Sequence, residues 1–158
     1  MIRKKNKFSR PHKLYDKIRI AQENKLVEMY GLKNKKEIWK AEAKVKYFRN
    51  RAKLIINSDQ EEQKNFFDKL KSLGLSVNTI AEVLALNKED ILKRRLSTII
   101  WKKGLLKTAR HARQMIAHRN VLVDGRAIDV PSYIVPVALE NQISLKKIVT
   151  KAKEVKNE

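Results

Sequence analysis

The sequence predicts an α+β fold: a helical N-terminal subdomain, then two helices followed by a small antiparallel hairpin or sheet. Three observations carry that expectation. Three of the four glycines stand in Gly-Leu pairs, Gly31-Leu32, Gly74-Leu75 and Gly104-Leu105, each closing a helical stretch. Residues 34–57 keep an unbroken helical period of apolar side chains. After Asn120 the period changes, with Val121-Leu122-Val123 rich in β-branched residues and Asp124-Gly125 forming a strong hairpin-turn signal.

Taken in order, the first helix is expected to end at Tyr30, because glycine at the position beyond a helix adopts the left-handed conformation and the following leucine packs back onto the last turn. The second helix has a start signal in Asn34 with Glu37, which reads as a capping box. Ile38, Ala41, Val45, Phe48, Ala52 and Ile55 alternate steps of three and four along it, making one apolar seam. Ser58 with Glu61 reads as a second capping box, and its helix is expected to end near Leu73. Asn87 is the expected cap of a third long helix running to Lys103, and Thr108 caps a short one after it. Beyond the hairpin turn, residues 127–130 are expected to supply the returning strand. Pro131 and Pro136 bracket residues 132–135, an edge strand at most. Residues 141–158 are Lys-rich and expected to form one weak helix capped by Ser144. The organisation expected is a basic arm and first helix over 1–33, a helical subdomain over 34–93, the helix-turn-helix-hairpin unit over 94–140 and a basic tail over 141–158.

Composition bounds the function. Lys and Arg number 37 against 17 Asp and Glu, a formal charge of +20. Leu, Ile, Val and Phe make up 46 of the 158 residues, enough for a packed core. The absence of cysteine excludes disulfides, zinc knuckles, iron–sulfur sites and thiol nucleophiles. The longest apolar runs are a few residues, as in Leu54-Ile55-Ile56, too short to span a membrane. Residues 1–8 are basic without an apolar stretch behind them, unlike a secretory signal. A soluble, cytoplasmic protein is expected.

The charge is uneven. Residues 1–53 carry a local +13, residues 54–93 a local −2, and residues 94–126 a local +8. Two basic blocks flanking a neutral, Leu-rich middle point to a polyanion, with nucleic acid first. On the second helix Lys36, Lys40, Lys44 and Arg51 run down one flank of the seam, with Lys46, Arg49 and Lys53 on the other. Cations this dense repel one another at i,i+4 spacing, and a phosphate backbone would relieve them.

No catalytic or metal chemistry is legible, so no enzyme, cofactor or metal is expected. His111 and His118 lack Cys or carboxylate companions. No Gly-rich phosphate loop occurs, Glu61-Glu62 and Glu89-Asp90 read as helix N-terminal acids, and Ser97 has no nucleophile elbow.

Residues 94–135 carry the information. Arg94 and Arg95 are expected on the helix before Gly104, and Arg110, His111, Arg113 and Gln114 in the first turn and a half after Thr108. Outward-pointing amides at that helix's start would receive a phosphate, with Arg110 and Arg113 forking onto neighbouring phosphate oxygens. Ala112, Met115 and Ile116 fill the opposite face. His118, Arg119 and Asn120 project where helix meets sheet, near Arg126. A surface set by backbone geometry and lined with arginine suits folded RNA.

The run Arg94-Arg95-Leu96, Gly104-Leu105, Thr108, Ala112-Arg113-Gln114, Ile116, Val121, Val123-Asp124-Gly125 and Pro131-Ser132-Tyr133 closely resembles the alpha-L RNA-binding motif. The stretch from Tyr30-Gly31-Leu32 through Glu37-Ile38-Trp39-Lys40 is similar to the signature of the small-subunit ribosomal protein four family, in its archaeal and eukaryotic branch. Leu73-Gly74-Leu75, Val83-Leu84-Ala85-Leu86 and Glu89-Asp90-Ile91-Leu92 fit it in order. The resemblance covers roughly residues 10–140. Where the motif commonly has Gly-His this chain has Arg119-Asn120, so the left-handed turn falls on Asn120 or its neighbour.

The resemblance implies a structural component of the small ribosomal subunit. It would bind small-subunit rRNA at a junction in the five-prime domain and nucleate early assembly. It would lie near the mRNA entry channel, beside neighbouring ribosomal proteins. The RNA contacts implied are Arg94, Arg95, Lys107, Thr108, Arg110, Arg113, Gln114, His118, Arg119, Asn120 and Arg126, to which the charged flank adds Lys36, Lys40, Lys44 and Arg51. Tyr133 divides evenly between RNA contact and packing. Trp39 and Trp101 are expected to pack. The rival readings are a free ribosome-assembly or stress factor, an RNA-modifying enzyme bearing the motif as an appendage, and a DNA-binding helix-turn-helix regulator. Gln114 alone in the short helix would read base edges for that last rival.

Overall fold

Asp16 opens the chain's first helix, α1 (Lys17–Tyr30), its carboxylate accepting from the Ile18 and Arg19 amides in the computed structural model, which describes residues 8–146. At the far end Gly31 takes a φ of +59°, its amide donates to Glu28 O and that of Leu32 to Val27 O, and Leu32 is buried. This is the left-handed closure expected of the Gly-Leu pair. Gly74-Leu75 closes α3 (Gln60–Ser72) in the same way, with Leu75 buried. The third pair differs: Gly104 closes α6 (Leu96–Lys102), but Leu105 is exposed and does not pack back.

The seam of α2 (Lys36–Ile55) is buried throughout, from Ile38 to Ile55. It packs on α4 (Ile80–Ala85) and α5 (Lys88–Lys93) to form the first core, with Leu26, Leu70, Val83 and Leu92. Each Ile or Leu fully buried there contributes roughly 1.5–3 kcal/mol. Neither expected capping box forms at α2 or α3. Asn34 and Ser58 lie one residue too early, the caps being Lys35 and Asp59 without side-chain bonds. The Glu37 carboxylate is held by two arginines, and the Gln63 amide satisfies carbonyls at the α2–α3 junction. Asn87 caps α5 as expected, and its backbone amide donates to Asp90 Oδ2 at 2.9 Å.

The long helix expected from Asn87 to Lys103 is broken in two. Arg95 is extended (φ −73°, ψ 143°), between α5 and α6. The cause is strand-like pairing with residues 132–135: Arg95 bridges Ile134, Leu96 N donates to Tyr133 O, and Val135 N donates to Arg94 O. Thr98 Oγ1 then donates to Leu92 O at the end of α5.

α6 packs on α7 (Ala109–Ala117), which Thr108 caps by accepting from the His111 amide at 3.1 Å. Past α7, Arg119 takes the left-handed turn at φ +59°, its amide donating to Ile116 O and that of Asn120 to Met115 O. The hairpin follows: β1 (Val121–Val123), Asp124 and Gly125 both at positive φ, and β2 (Arg126–Ala127), shorter than the strand expected over 127–130. Ser144, the expected cap of a helix, lies instead in a strand. After a 3₁₀ turn (Val137–Gln142), β3 (Ile143–Leu145) pairs antiparallel with β1, giving the order β2-β1-β3. Ile143 is buried in the second core with Leu96, Ile100, Ile116, Val121 and Val135, and that burial outweighs weak helix propensity. Trp39 packs on the first core, and Trp101 and Tyr133 on the second. The rest of the expected tail, 147–158, lies outside the described residues.

Candidate nucleic-acid interface

Glu37, in the first turn of α2, is the hub between the two cores. Its Oε2 accepts from Arg95 Nη2 at 2.5 Å and from Arg113 Nη1 at 3.1 Å, while Oε1 accepts from Arg113 Nη2 at 2.8 Å. Burial alone would raise the Glu37 pKa, but the hydrogen bonds and charges of Arg113 and Arg95 outweigh it, so the carboxyl sits below its ordinary value. A depressed carboxyl contributes stability that is present above the unfolded-state pKa of about 4.3 and lost as pH falls through the lower folded value. The stability gap between the native chain and Glu37→Gln should therefore be constant from neutral pH to about pH 5 and shrink toward pH 3. Urea unfolding across that range checks it; a gap independent of pH would exclude an ionised Glu37 as the organiser.

This hub removes two expected RNA contacts from the surface. Arg95 is 4% exposed and turned wholly to Glu37. Arg113 forks onto Glu37 rather than onto phosphates beside Arg110, leaving its side chain 25% exposed. Arg94 is withdrawn too. Its guanidinium donates to Leu73 O, Val135 O and Glu140 Oε2, tying α3 and the 3₁₀ turn to the second core. These three arginines are structural because acceptors at the junction between the cores capture them.

The start of α7 is also more crowded than an open anion site. Gly31 lies so close that a β-carbon there would stand 2.8 Å from Arg110 N and from Ala109 C. The carbonyl end of α1 thus meets the amide end of α7, an arrangement favourable for both helix dipoles, and it closes one side of the expected phosphate cradle.

What stays exposed is a narrower set. Lys107, Thr108, Arg110 and Gln114 surround the first turn of α7, with His118 and Arg119 at its end and Arg126 on β2. Arg119 pairs with Asp129 at 3.0 Å across open surface, an ion pair of little strength that a phosphate can displace. Asn120 is half-buried and holds β3 through its carbonyl, which accepts from Lys146 N. Lys36, Lys40, Lys44 and Arg51 are all exposed along α2. Lys36 adjoins the Glu37 hub, whereas Arg51 lies about 22 Å further along the helix. The basic surface therefore runs from α7 onto α2.

Sequence reasoning missed Glu37 as a hub, Gly31 as a contact point, and Glu140 and Asp129 as arginine partners. Glu37 reads in the sequence as part of a capping box, because its partners lie 58 and 76 residues away. Among the described residues no group of three or more His, Cys, Asp or Glu side chains could hold a metal ion, and no helix is long and apolar enough to cross a membrane.

A family model described as the S4 domain matches residues 94–140. The chain is 41% identical over 145 residues to the small ribosomal subunit protein uS4 of Methanosphaera stadtmanae, covering 88% of this chain and 80% of that one. It is 40% identical over 147 residues to that of Methanothermobacter thermautotrophicus, covering 88% and 85%. To that of Pyrobaculum aerophilum it is 37% identical over 150 residues, covering 90% and 94%.

Proposed function

Because the chain belongs to the uS4 family of small ribosomal subunit proteins, in its archaeal form, we propose that it binds small-subunit rRNA through its S4 domain and the exposed flank of α2. The family is structural rather than enzymatic. The observation that carries the reading is the cationic surface left after the structural arginines are accounted for: Lys107, Arg110, His118, Arg119 and Arg126, continued by Lys36, Lys40, Lys44 and Arg51. Thr108, Gln114 and Asn120 add hydroxyl and amide groups for ribose and base edges. The site we assign is a multi-helix junction in the five-prime domain, occupied early so that binding nucleates assembly. In the finished particle the protein would stand near the mRNA entry channel beside other ribosomal proteins, in the cytoplasm. The Arg113 and Arg95 roles in this reading are indirect: they hold the two cores in one orientation.

Binding is expected to be dominated by phosphate contacts, so the logarithm of affinity falls steeply with the logarithm of salt concentration. Arg110→Ala should lower affinity and flatten that slope by roughly 0.7–0.9, the contribution of one phosphate. Competition binding to five-prime-domain rRNA, tRNA and duplex DNA at moderately high salt tests the proposal. Selective retention on the rRNA is expected. Equal loss from all three, or a nearly flat salt response, would overturn it.

A further inference from the structure

We propose that Tyr47 is a base-stacking residue, receiving an unpaired nucleotide of the bound RNA in the middle of the cationic face of α2. The proposal deepens the rRNA-binding reading and rests on it. Lys36, Lys40, Lys44, Tyr47, Arg51 and Leu54 follow one another in steps of four, four, three, four and three. At 100° per residue these positions fall within about 80° of arc, a second stripe flanking the buried seam. Every member is exposed, Tyr47 at 64%. Arg51 stands one turn ahead of the ring and Lys44 and Lys40 one and two turns behind it.

Tyr47 is the exposed aromatic ring of α2. The other aromatic residues on α2, Trp39 and Phe48, face the first core. Among the described residues the one ring neighbour of Tyr47 is Phe48, at a centroid distance of 5.8 Å and an interplanar angle of 60°, and most of the Tyr47 side chain stays open to solvent. No hydrogen bond from its hydroxyl occurs among the described residues. An exposed ring between cations has the two elements that hold single-stranded nucleic acid: a π-face for the base and positive charge for the phosphates on either side. A protein partner would favour a continuous apolar patch, whereas here Arg51 separates Tyr47 from Leu54, and the cations of the stripe bring polyanion chemistry to the same face. Tyrosine also commits little entropy on stacking, having two side-chain torsions.

The test compares the full-length chain with Tyr47→Phe and Tyr47→Leu in binding to five-prime-domain rRNA over a range of salt. Phenylalanine keeps the π-face, so its affinity should stay within about twofold. Leucine keeps apolar bulk without the face and should lose about tenfold. Stacking releases no counterions, so the salt slope of Tyr47→Leu should equal that of the native chain, in contrast to Arg110→Ala. Both variants should melt within a few degrees of the native protein, because the position is exposed. Native affinity in Tyr47→Leu, with the native chain still selective for rRNA, would overturn the stacking role and leave the rRNA reading standing. An equal loss in Tyr47→Phe would assign the effect to the hydroxyl and overturn it too. A defect absent on naked rRNA but present when other ribosomal proteins are added would assign Tyr47 to a protein partner. Absence of rRNA selectivity in the native chain would bring down both readings together.

Discussion

Replacing Glu37 with alanine is expected to cost about 3 kcal/mol or more, which for a chain of this size lowers Tm by roughly 6–12 °C. The cost arises on the other partner. Arg95 is 4% exposed, its Nε is already buried without a hydrogen-bond partner, and its Nη2 depends on Glu37. Removing the carboxylate strands a buried guanidinium charge. Arg113→Ala should behave differently, because Glu37 and Arg95 still pair and the lost side chain is partly solvated; a change of about 1 kcal/mol or less is expected. Glu37→Gln should fall between them, since an amide oxygen can still accept from Arg95. Thermal unfolding of the three variants orders these effects. A Glu37→Ala protein that melts with the native chain would remove Glu37 from its place as the hub between the cores. The same series separates structure from contact, because a binding defect in Arg113→Ala without a change in Tm would return Arg113 to the RNA surface.

Gly31→Ala is expected to be similarly damaging, and Gly104→Ala is its control. Both glycines have positive φ, +59° and +71°, so an alanine at either pays left-handed strain of about 1–2 kcal/mol. At Gly104 a β-carbon would meet nothing within 4 Å. At Gly31 it would meet the backbone of Ala109 and Arg110 at 2.8 Å. Backbone in a capped helical turn cannot swing aside like the end of a lysine, so the overlap adds about 1–3 kcal/mol and shifts the start of α7. The first turn and a half of α7 carries Arg110 and Gln114, so Gly31→Ala should weaken rRNA binding even at temperatures where it stays folded. Gly104→Ala should bind normally. Calorimetric unfolding and rRNA titration of the pair decide the matter; equal losses in both would mean that backbone strain, not the α1–α7 approach, governs Gly31.

Several features of the candidate site were legible without coordinates. Thr108 as a cap, Ala112 and Ile116 as the buried side of its helix, and the Asp124-Gly125 turn all follow from rules spanning four or five residues. So did the exposure of Lys36, Lys40, Lys44 and Arg51, since the position of the α2 seam dictates where its flanks lie. Which arginines remained free was not legible. Arg94, Arg95, Arg110 and Arg113 look alike in the sequence, and only Glu37 and Glu140, brought in from other elements, distinguish the tethered ones from the exposed one. Ser144 as a helix cap failed for a related reason, because a three-residue strand is decided by the partner it pairs with.

The sequence by itself determined the family, the sign and spread of the charge, the seam of α2, the closures at Gly31 and Gly74 and the turn of the hairpin. The seam, the closures and the turn are local, set by backbone geometry or by periodicity within one helix, and local preferences survive in any tertiary setting. Tertiary structure alone decided that the helix breaks at Arg95, that Ile143 enters the sheet, and that Arg94, Arg95 and Arg113 face inward. These outcomes are non-local. A strand pairing, a buried carboxylate with two guanidinium partners and a glycine pressed against another helix exist only once distant segments meet.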